Sequence, residues 1–121
     1  MTPEDASSAP RDASIDATAQ LRRGVIEHGI LAALAREPMY GWQLAERLTE
    51  LGLIAGIGTL YPVLGRMRDR GAIEAFERPS VTGPVRKYYA PTPAGAAELR
   101  AFRTQWRQFA RTVDALLGEQ R

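Results

Sequence analysis

Five side chains in the middle of the chain have the chemistry to hold a polyanion. Thr59, Tyr61 and Arg66 place a hydroxyl, a phenol and a guanidinium close together, and Arg86 with Lys87 adds two adjacent cations. Hydroxyl and phenol groups donate hydrogen bonds to phosphate oxygens, and arginine also pairs with guanine. These residue types therefore favour recognition of a nucleic acid over the making or breaking of a bond.

Catalytic, metal and cofactor sites are not predicted. The sequence contains no cysteine and a single histidine, His28, which has no second histidine or acidic cluster beside it. It is more readily a packed or surface histidine than a metal ligand. The glycines at Gly56 and Gly58 lack the Lys-Ser/Thr of a phosphate loop, and no Ser/His/acid set is recognisable. We expect a protein that is not an enzyme.

Charge and composition describe one modest globular domain of 121 residues with a net charge of +2. Residues 1–20 hold four acidic residues against one arginine and only one large aliphatic residue, which predicts a disordered acidic arm. The rest is basic and almost all of its cations are arginine, although arginine abundance also follows genome composition. Because no run is apolar enough to span a membrane and no secretory signal is recognisable, a cytoplasmic location is expected.

Helical and strand periodicities predict the elements that position these groups. Pro38, Gly52 and Gly71 mark the ends of the first three helices. Thr92 and Pro93 read as the N-cap and first residue of the last helix. The predicted helices are Leu21–Arg36, Tyr40–Leu51, Ile57–Arg70 and 93–117, and the predicted strands are Ala72–Arg78 and Arg86–Ala90.

The last helix carries a heptad stripe that predicts a dimer interface. An exposed stripe of this kind requires a partner, and a second copy of the chain is favoured over packing against the first helix of the same chain. The predicted interface residues are Leu99, Phe102, Trp106, Phe109, Val113 and Leu116.

The order of elements predicts a mainly α fold with a β-hairpin (α+β), a winged helix-turn-helix with a C-terminal dimerisation helix. Residues 1–20 would form the arm, 21–91 the DNA-binding domain and 92–121 the dimerisation helix. The third helix would lie in the major groove with Leu60, Leu64 and Met67 facing inward, and the hairpin loop would reach the neighbouring DNA backbone or the minor groove. Tyr40 and Trp42 are expected to pack the second helix against the first and third.

Three segments resemble the motifs of the PadR-like transcriptional regulators, in the order and spacing of that family. They are Tyr40-Gly41-Trp42-Gln43-Leu44, Gly58-Thr59-Leu60-Tyr61-Pro62-Val63-Leu64 and Arg86-Lys87-Tyr88-Tyr89. Thr92-Pro93-Ala94-Gly95 is similar to the family's entry to its dimerisation helix. The single short C-terminal helix resembles the compact subgroup.

The resemblance implies a homodimeric repressor that binds a palindromic double-stranded DNA operator and leaves it when a small aromatic or drug-like effector binds. It places Thr59, Tyr61, Arg66, Arg86 and Lys87 on DNA, and it makes Trp106 both an interface residue and a candidate effector contact. The sequence departs from the family pattern at three positions. Gly56 replaces a common serine cap, Gly65 a common basic residue and Pro91 a usual leucine.

A second class of function stays open at this point. A winged helix can also serve as a protein-interaction or architectural module without operator specificity, because fold does not determine function. The outward stripe of polar groups and the basic hairpin argue against this alternative. Salt dependence of binding separates the two, because phosphate contacts weaken steeply as salt rises.

Overall fold

A computed structural model describes the backbone of residues 3–118 and the side chains of residues 17–118. Four helices surround a small antiparallel sheet, which confirms the predicted fold class. None of the helices in the described range is long and apolar enough to cross a membrane. The elements in chain order are α1 (Pro3–Arg36), β1 (Met39–Tyr40), α2 (Gly41–Glu50), α3 (Ile57–Asp69), β2 (Ile73–Arg78), β3 (Arg86–Pro91) and α4 (Pro93–Leu117).

The core lies where α1, α2 and α3 meet, and it is entirely apolar among the described residues. Each helix contributes residues three or four positions apart, as expected for one face of a helix packed against neighbours. The start of α4 closes the core with Leu99. The largest fully buried side chains are Ile30, Leu31, Leu34, Leu44, Leu48, Leu60, Leu64 and Met67.

The sheet has the order β1-β3-β2, with both pairs antiparallel. Strands β2 and β3 form the predicted hairpin, in which Ala75 lies opposite Tyr89 and Arg78 lies opposite Arg86. Strand β1 pairs Met39 with Tyr89 and was not predicted. Two residues are too few to show a period, so only the fold could reveal that strand.

The ends of the elements follow the expected local chemistry. Gly52 and Gly71 have positive φ angles of 77° and 81° after α2 and α3, where residues with a Cβ are disfavoured. Thr92 caps α4, since its Oγ1 accepts from the Gly95 amide at 3.0 Å and donates to the Gly71 carbonyl at 2.6 Å. A Cβ at Gly95 would overlap the Ala72 carbonyl oxygen, which explains the glycine three residues after the cap.

Helix α1 begins at Pro3, so its backbone runs through most of the segment for which the sequence predicts a disordered arm. Low hydrophobicity excludes a core for this segment, but it does not exclude a helix. Alanine, the strongest helix former, occurs five times in it. Residues 1–2 and 119–121 lie outside the described residues. The division of the chain at residues 20 and 91 stays a prediction.

The α4 stripe divides into two parts. Leu99 is only 4% exposed and belongs to the core of its own chain, which corrects its assignment to a dimer interface. Phe102 is half-buried and stacks on His28 of α1, with ring centroids 4.1 Å apart. Farther along the helix, Trp106 is 44%, Phe109 62% and Leu116 82% exposed. The first turns of α4 therefore pack on α1, and the apolar face beyond them is uncovered.

Candidate nucleic-acid interface

Helix α3 presents an outer ridge that lacks hydrogen-bonding side chains over its first turns. Leu60, Leu64 and Met67 are buried, as predicted, together with Val63. The positions opposite this buried face are Gly58, Pro62 and Gly65, all exposed, and nothing lies within 4 Å of a Cβ built on either glycine. Because this ridge is nearly smooth, the polar groups of α3 lie on its two flanks.

One flank of α3 faces α2 and the hairpin. There Tyr61 is half exposed and lies against Gly41, where a methyl group would overlap its hydroxyl. Tyr61, Arg86 and Lys87 line one hollow of about 390 Å³ together with Trp42 at the start of α2. The structure therefore brings three of the five predicted DNA-contacting residues together.

Aromatic rings hold the cations of the hairpin in place. The Arg86 guanidinium lies 4.4 Å from the centre of the Tyr40 ring, and that of Arg78 lies 4.5 Å from the Tyr88 ring. The Tyr40 and Tyr88 rings meet edge to face at 5.5 Å. Such contacts orient a guanidinium without neutralising it. Arg78 and Arg86 also face each other across the hairpin, so an anion near them would relieve their repulsion.

The other flank of α3 faces α1. Thr59 and Arg66 lie here, on a groove of about 580 Å³ that Arg22 and Arg23 of α1 also line. The ridge of α3 therefore separates these two predicted residues from Tyr61, Arg86 and Lys87, which together are called the hairpin group. The floor of the groove is apolar, with Ile26, Leu53, Ile54, Ala55, Pro62 and Val63 among its lining residues.

Sequence reasoning assigned Trp42 wrongly and overlooked two arginines. Trp42 is 56% exposed beside the hairpin group, where we expected it to pack between helices. The buried residues of α2 include Leu44, Ala45 and Leu48, and a helical projection of that face already leaves Trp42 outside it. Arg22 and Arg23 gave no signal, because adjacent arginines on a predicted helix normally mark a solvated face.

Tyr40 was also expected to pack α2 against α1 and α3. Instead it precedes α2 and contacts the hairpin through Tyr88 and Arg86. Its backbone amide donates to Gln43 Oε1 at 3.2 Å, which ties the start of α2 to β1, the strand that pairs with β3. Gly56, in contrast, caps α3 without a side-chain hydrogen bond, as its departure from the family pattern implies.

A cluster of charges joins α3 to α1 and α4 at the far end of the groove. Arg70, at the end of α3, donates to both carboxylate oxygens of Glu98 at 2.6 and 3.0 Å and to Glu27 at 2.8 Å. The hydrogen bonds from Arg70 hold the pKa of Glu98 below its usual value, and the bonds to Glu98 raise the pKa of Arg70. His28 Nε2 lies 3.1 Å from Glu98. The single histidine is therefore a packed residue of this junction.

A third concave site, a cavity, lies between α1 and α4. It has a volume of about 440 Å³, and its lining includes Phe102, Trp106, Arg103 and Arg107 from α4 with His28 from α1. The walls are mainly apolar and aromatic. The exposed apolar face of α4 continues directly from this cavity, so both features depend on what covers that face.

Helix α3 has polar and cationic groups on both flanks, it packs against the preceding helix α2, and a cationic hairpin follows it. Together these features define a winged helix-turn-helix protein of the DNA-binding regulator class. The family model of the PadR-like transcriptional regulators matches residues 30–101. The chain belongs to this family and is a transcriptional regulator.

Individual relatives agree with the family assignment. The chain is 33% identical over 94 residues to a transcriptional regulator of Mycobacterium tuberculosis, covering 78% of this chain and 87% of that protein. A PadR family regulator from Eggerthella lenta superposes with a TM-score of 0.80 at 31% identity, over 93% of this chain and 99% of that one. A PadR-like regulator from Bacillus cereus gives 0.77 at 35% identity, over 84% and 99%.

Proposed function

We propose that this regulator is a homodimeric repressor whose α3 enters the major groove of a palindromic operator. The observation that carries the proposal is the arrangement of cations and hydrogen-bond donors on both flanks of the smooth α3 ridge. A ridge of two glycines and a proline lets the helix backbone approach the base edges closely. Tyr61, Arg86 and Lys87 would then meet phosphates on one side, and Thr59 and Arg66 would meet DNA on the other.

The dimer would form through the uncovered face of α4. Trp106, Phe109 and Leu116 expose apolar surface in the single chain, and Val113 lies on the same stripe. Burial of such a stripe against a second copy follows the heptad pattern, and a two-fold axis would match the symmetry of a palindrome.

An effector would bind in the cavity beside Trp106. Aromatic walls favour a planar apolar ligand, and Arg103 with Arg107 makes a neutral or anionic ligand more suitable than a cation. The cavity adjoins the proposed dimer face, so a bound ligand would change the spacing of the two α3 helices and release DNA.

The effector site has its own test. Titration of 1-anilinonaphthalene-8-sulfonate into a Trp42→Phe variant should quench the remaining fluorescence of Trp106. Acridine orange, a planar cation, should quench it less. Absence of quenching by both probes would count against this cavity as an effector site.

Fluorescence anisotropy tests DNA binding directly. Labelled duplexes from the region upstream of the protein's own gene and a scrambled duplex are compared at low and near-physiological salt. Operator-specific repression predicts tight binding to the upstream DNA that survives higher salt. Equal and salt-sensitive binding to both duplexes would indicate an architectural module or a different target, and no binding at low salt would refute the proposal.

A pair of variants ties the binding to the hairpin. Arg86→Ala should weaken binding and reduce the dependence of affinity on salt, since it removes one phosphate contact. Arg100→Ala is the matched control, because Arg100 is an exposed arginine of α4 away from the proposed interface. Equal losses in both variants would show that net charge alone drives binding.

A further inference from the structure

Arg66 is already engaged within its own chain. Its Nε lies 3.8 Å from Oε2 of Glu27 on α1. Both side chains line the groove between α1 and α3, as does Thr59. The Arg66 side chain is 61% exposed, and Glu27 is its one acidic contact among the described residues. A DNA acceptor that binds Arg66 must therefore compete with this carboxylate.

Glu27 lies at a fork between two arginines of α3. Its Oε1 accepts from Arg70 at 2.8 Å, whereas its Oε2 makes the longer contact with Arg66. Arg70 also has the bidentate contact with Glu98, but Arg66 has no second carboxylate among the described residues. Of the two arginines, Arg66 therefore has the weaker contact with Glu27. When Arg66 leaves Glu27, the contacts of Arg70 that join α1, α3 and α4 stay intact.

We propose that Glu27 is a specificity-determining residue, a built-in competitor that holds Arg66 until an operator offers a better acceptor. The inference rests on the proposed function, since it requires that Arg66 contacts DNA. Non-specific binding depends on phosphate contacts alone, so the internal carboxylate removes part of what Arg66 can add there. A guanine in register offers O6 and N7 together to the guanidinium, and these two hydrogen bonds compensate for the loss of the carboxylate contact.

This arrangement raises the ratio of specific to non-specific binding while it lowers absolute affinity. Specificity is a difference between two affinities, and a repulsive or competing group can create it as well as an added contact. A genome presents a very large excess of competing sites, so a lower affinity for ordinary DNA matters to a regulator.

The variant Glu27→Gln tests the proposal on the full chain. Glutamine keeps an oxygen that accepts from Arg70 but removes the charge that holds Arg66. We expect affinity for the scrambled duplex to rise about two- to fivefold, the range for loss of an exposed ion pair, with a smaller rise for the upstream duplex. The specificity ratio should fall. Glu50→Gln, an exposed carboxylate on α2, controls for the change in net charge.

A double-mutant cycle separates this role from a structural one. In an Arg66→Ala background, Glu27→Gln should raise affinity no more than Glu50→Gln does, because no arginine is left to release. Thermal melts of each variant check that it is folded. Additive effects, or weaker DNA binding by folded Glu27→Gln, would overturn the inference. If the unmodified chain binds neither duplex at low salt, the proposed function fails and this inference fails with it.

Discussion

Gly95 shows how a single missing side chain sets the position of α4. A Cβ at this residue would overlap the Ala72 carbonyl oxygen and lie 3.1 Å from a methyl carbon of Leu31. Because the first of these contacts is with backbone, rotamer changes cannot relieve it. We expect Gly95→Ala to lower the free energy of unfolding by about 1–3 kcal/mol, as overpacking does.

Urea denaturation measures this loss, and Gly24→Ala provides the control. Gly24 is also helical, but nothing lies within 4 Å of its Cβ position. Alanine there should raise stability by up to about 1 kcal/mol through helix propensity. An unchanged midpoint for Gly95→Ala would show that α4 can shift away from the sheet.

Gly65 tests whether the α3 backbone approaches DNA. It is exposed in the second half of α3 with open space at its Cβ, so Gly65→Ala should stabilise the fold by about 0.5–1 kcal/mol. In the same variant, affinity for the upstream duplex should fall, because the added methyl group lies on the ridge of α3 that would face the major groove of DNA. Anisotropy and thermal melts on the same samples separate the two effects. Unchanged or tighter binding would refute close approach at this position.

At the residue scale, the sequence predicted the kinds of side chain at the interface but not their grouping. Thr59, Tyr61 and Arg66 are all outside the buried face of α3, as periodicity indicates. Which flank faces α1 and which faces the hairpin depends on packing between elements distant in sequence. The same limit explains the misassigned Leu99, whose heptad position suits both a dimer interface and a core.

At the scale of elements, helix patterns and turn residues carried most of the fold. Thr92 and Pro93 predicted the start of α4, and Gly71 predicted the end of α3. These rules did not predict strand β1 or the part of α1 that precedes Leu21, here called the outer part of α1. The strand exists only by pairing with β3, and the outer helix needs no apolar face.

The junction of α1, α3 and α4 makes stability depend on pH through Glu98. Arg70 lowers the pKa of this carboxyl from its ordinary value of 4.5 in the folded state. The stabilisation is therefore fully present above about pH 4.5 and is lost as the pH falls through the lower folded pKa. Glu98→Gln should be less stable than the parent at neutral pH and should lose less stability on acidification.

Urea midpoints between about pH 7 and pH 3 measure this difference. Glu74→Gln is a matched control, because Glu74 is exposed on β2 and makes no ion pair with a described residue. Parallel acid profiles for the parent and Glu98→Gln would mean that the contact with Arg70 does not persist in solution.

At the scale of the whole molecule, the single chain has two surfaces that are open to a partner. The flanks of α3 carry exposed cations that can bind an anion, and the end of α4 exposes large apolar side chains. Both surfaces belong to helices that share the core and the contacts of Arg70 with Glu27 and Glu98. A partner on α4 would therefore determine how far apart two copies of α3 lie, which is the distance an operator must match.

Dimerisation through α4 predicts that thermal stability depends on protein concentration. If folding and association are coupled, Tm should rise by about 3–5 °C for each tenfold increase in concentration, by mass action. Phe109→Glu places a charge on the exposed stripe, and we expect it to abolish this dependence and to yield monomers in analytical ultracentrifugation. Gln108→Glu, one residue away on the far side of the helix, should leave both properties unchanged.

The two readouts together decide between the alternatives for the stripe. A parent chain that sediments as a monomer and melts independently of concentration would show that α4 packs only against α1 of the same chain. DNA binding by such a monomer would then use one half-site, and a palindrome would bind two chains without cooperativity. A dimer that Phe109→Glu dissociates, with DNA affinity lost in parallel, would tie the apolar face of α4 to the reading of DNA by α3.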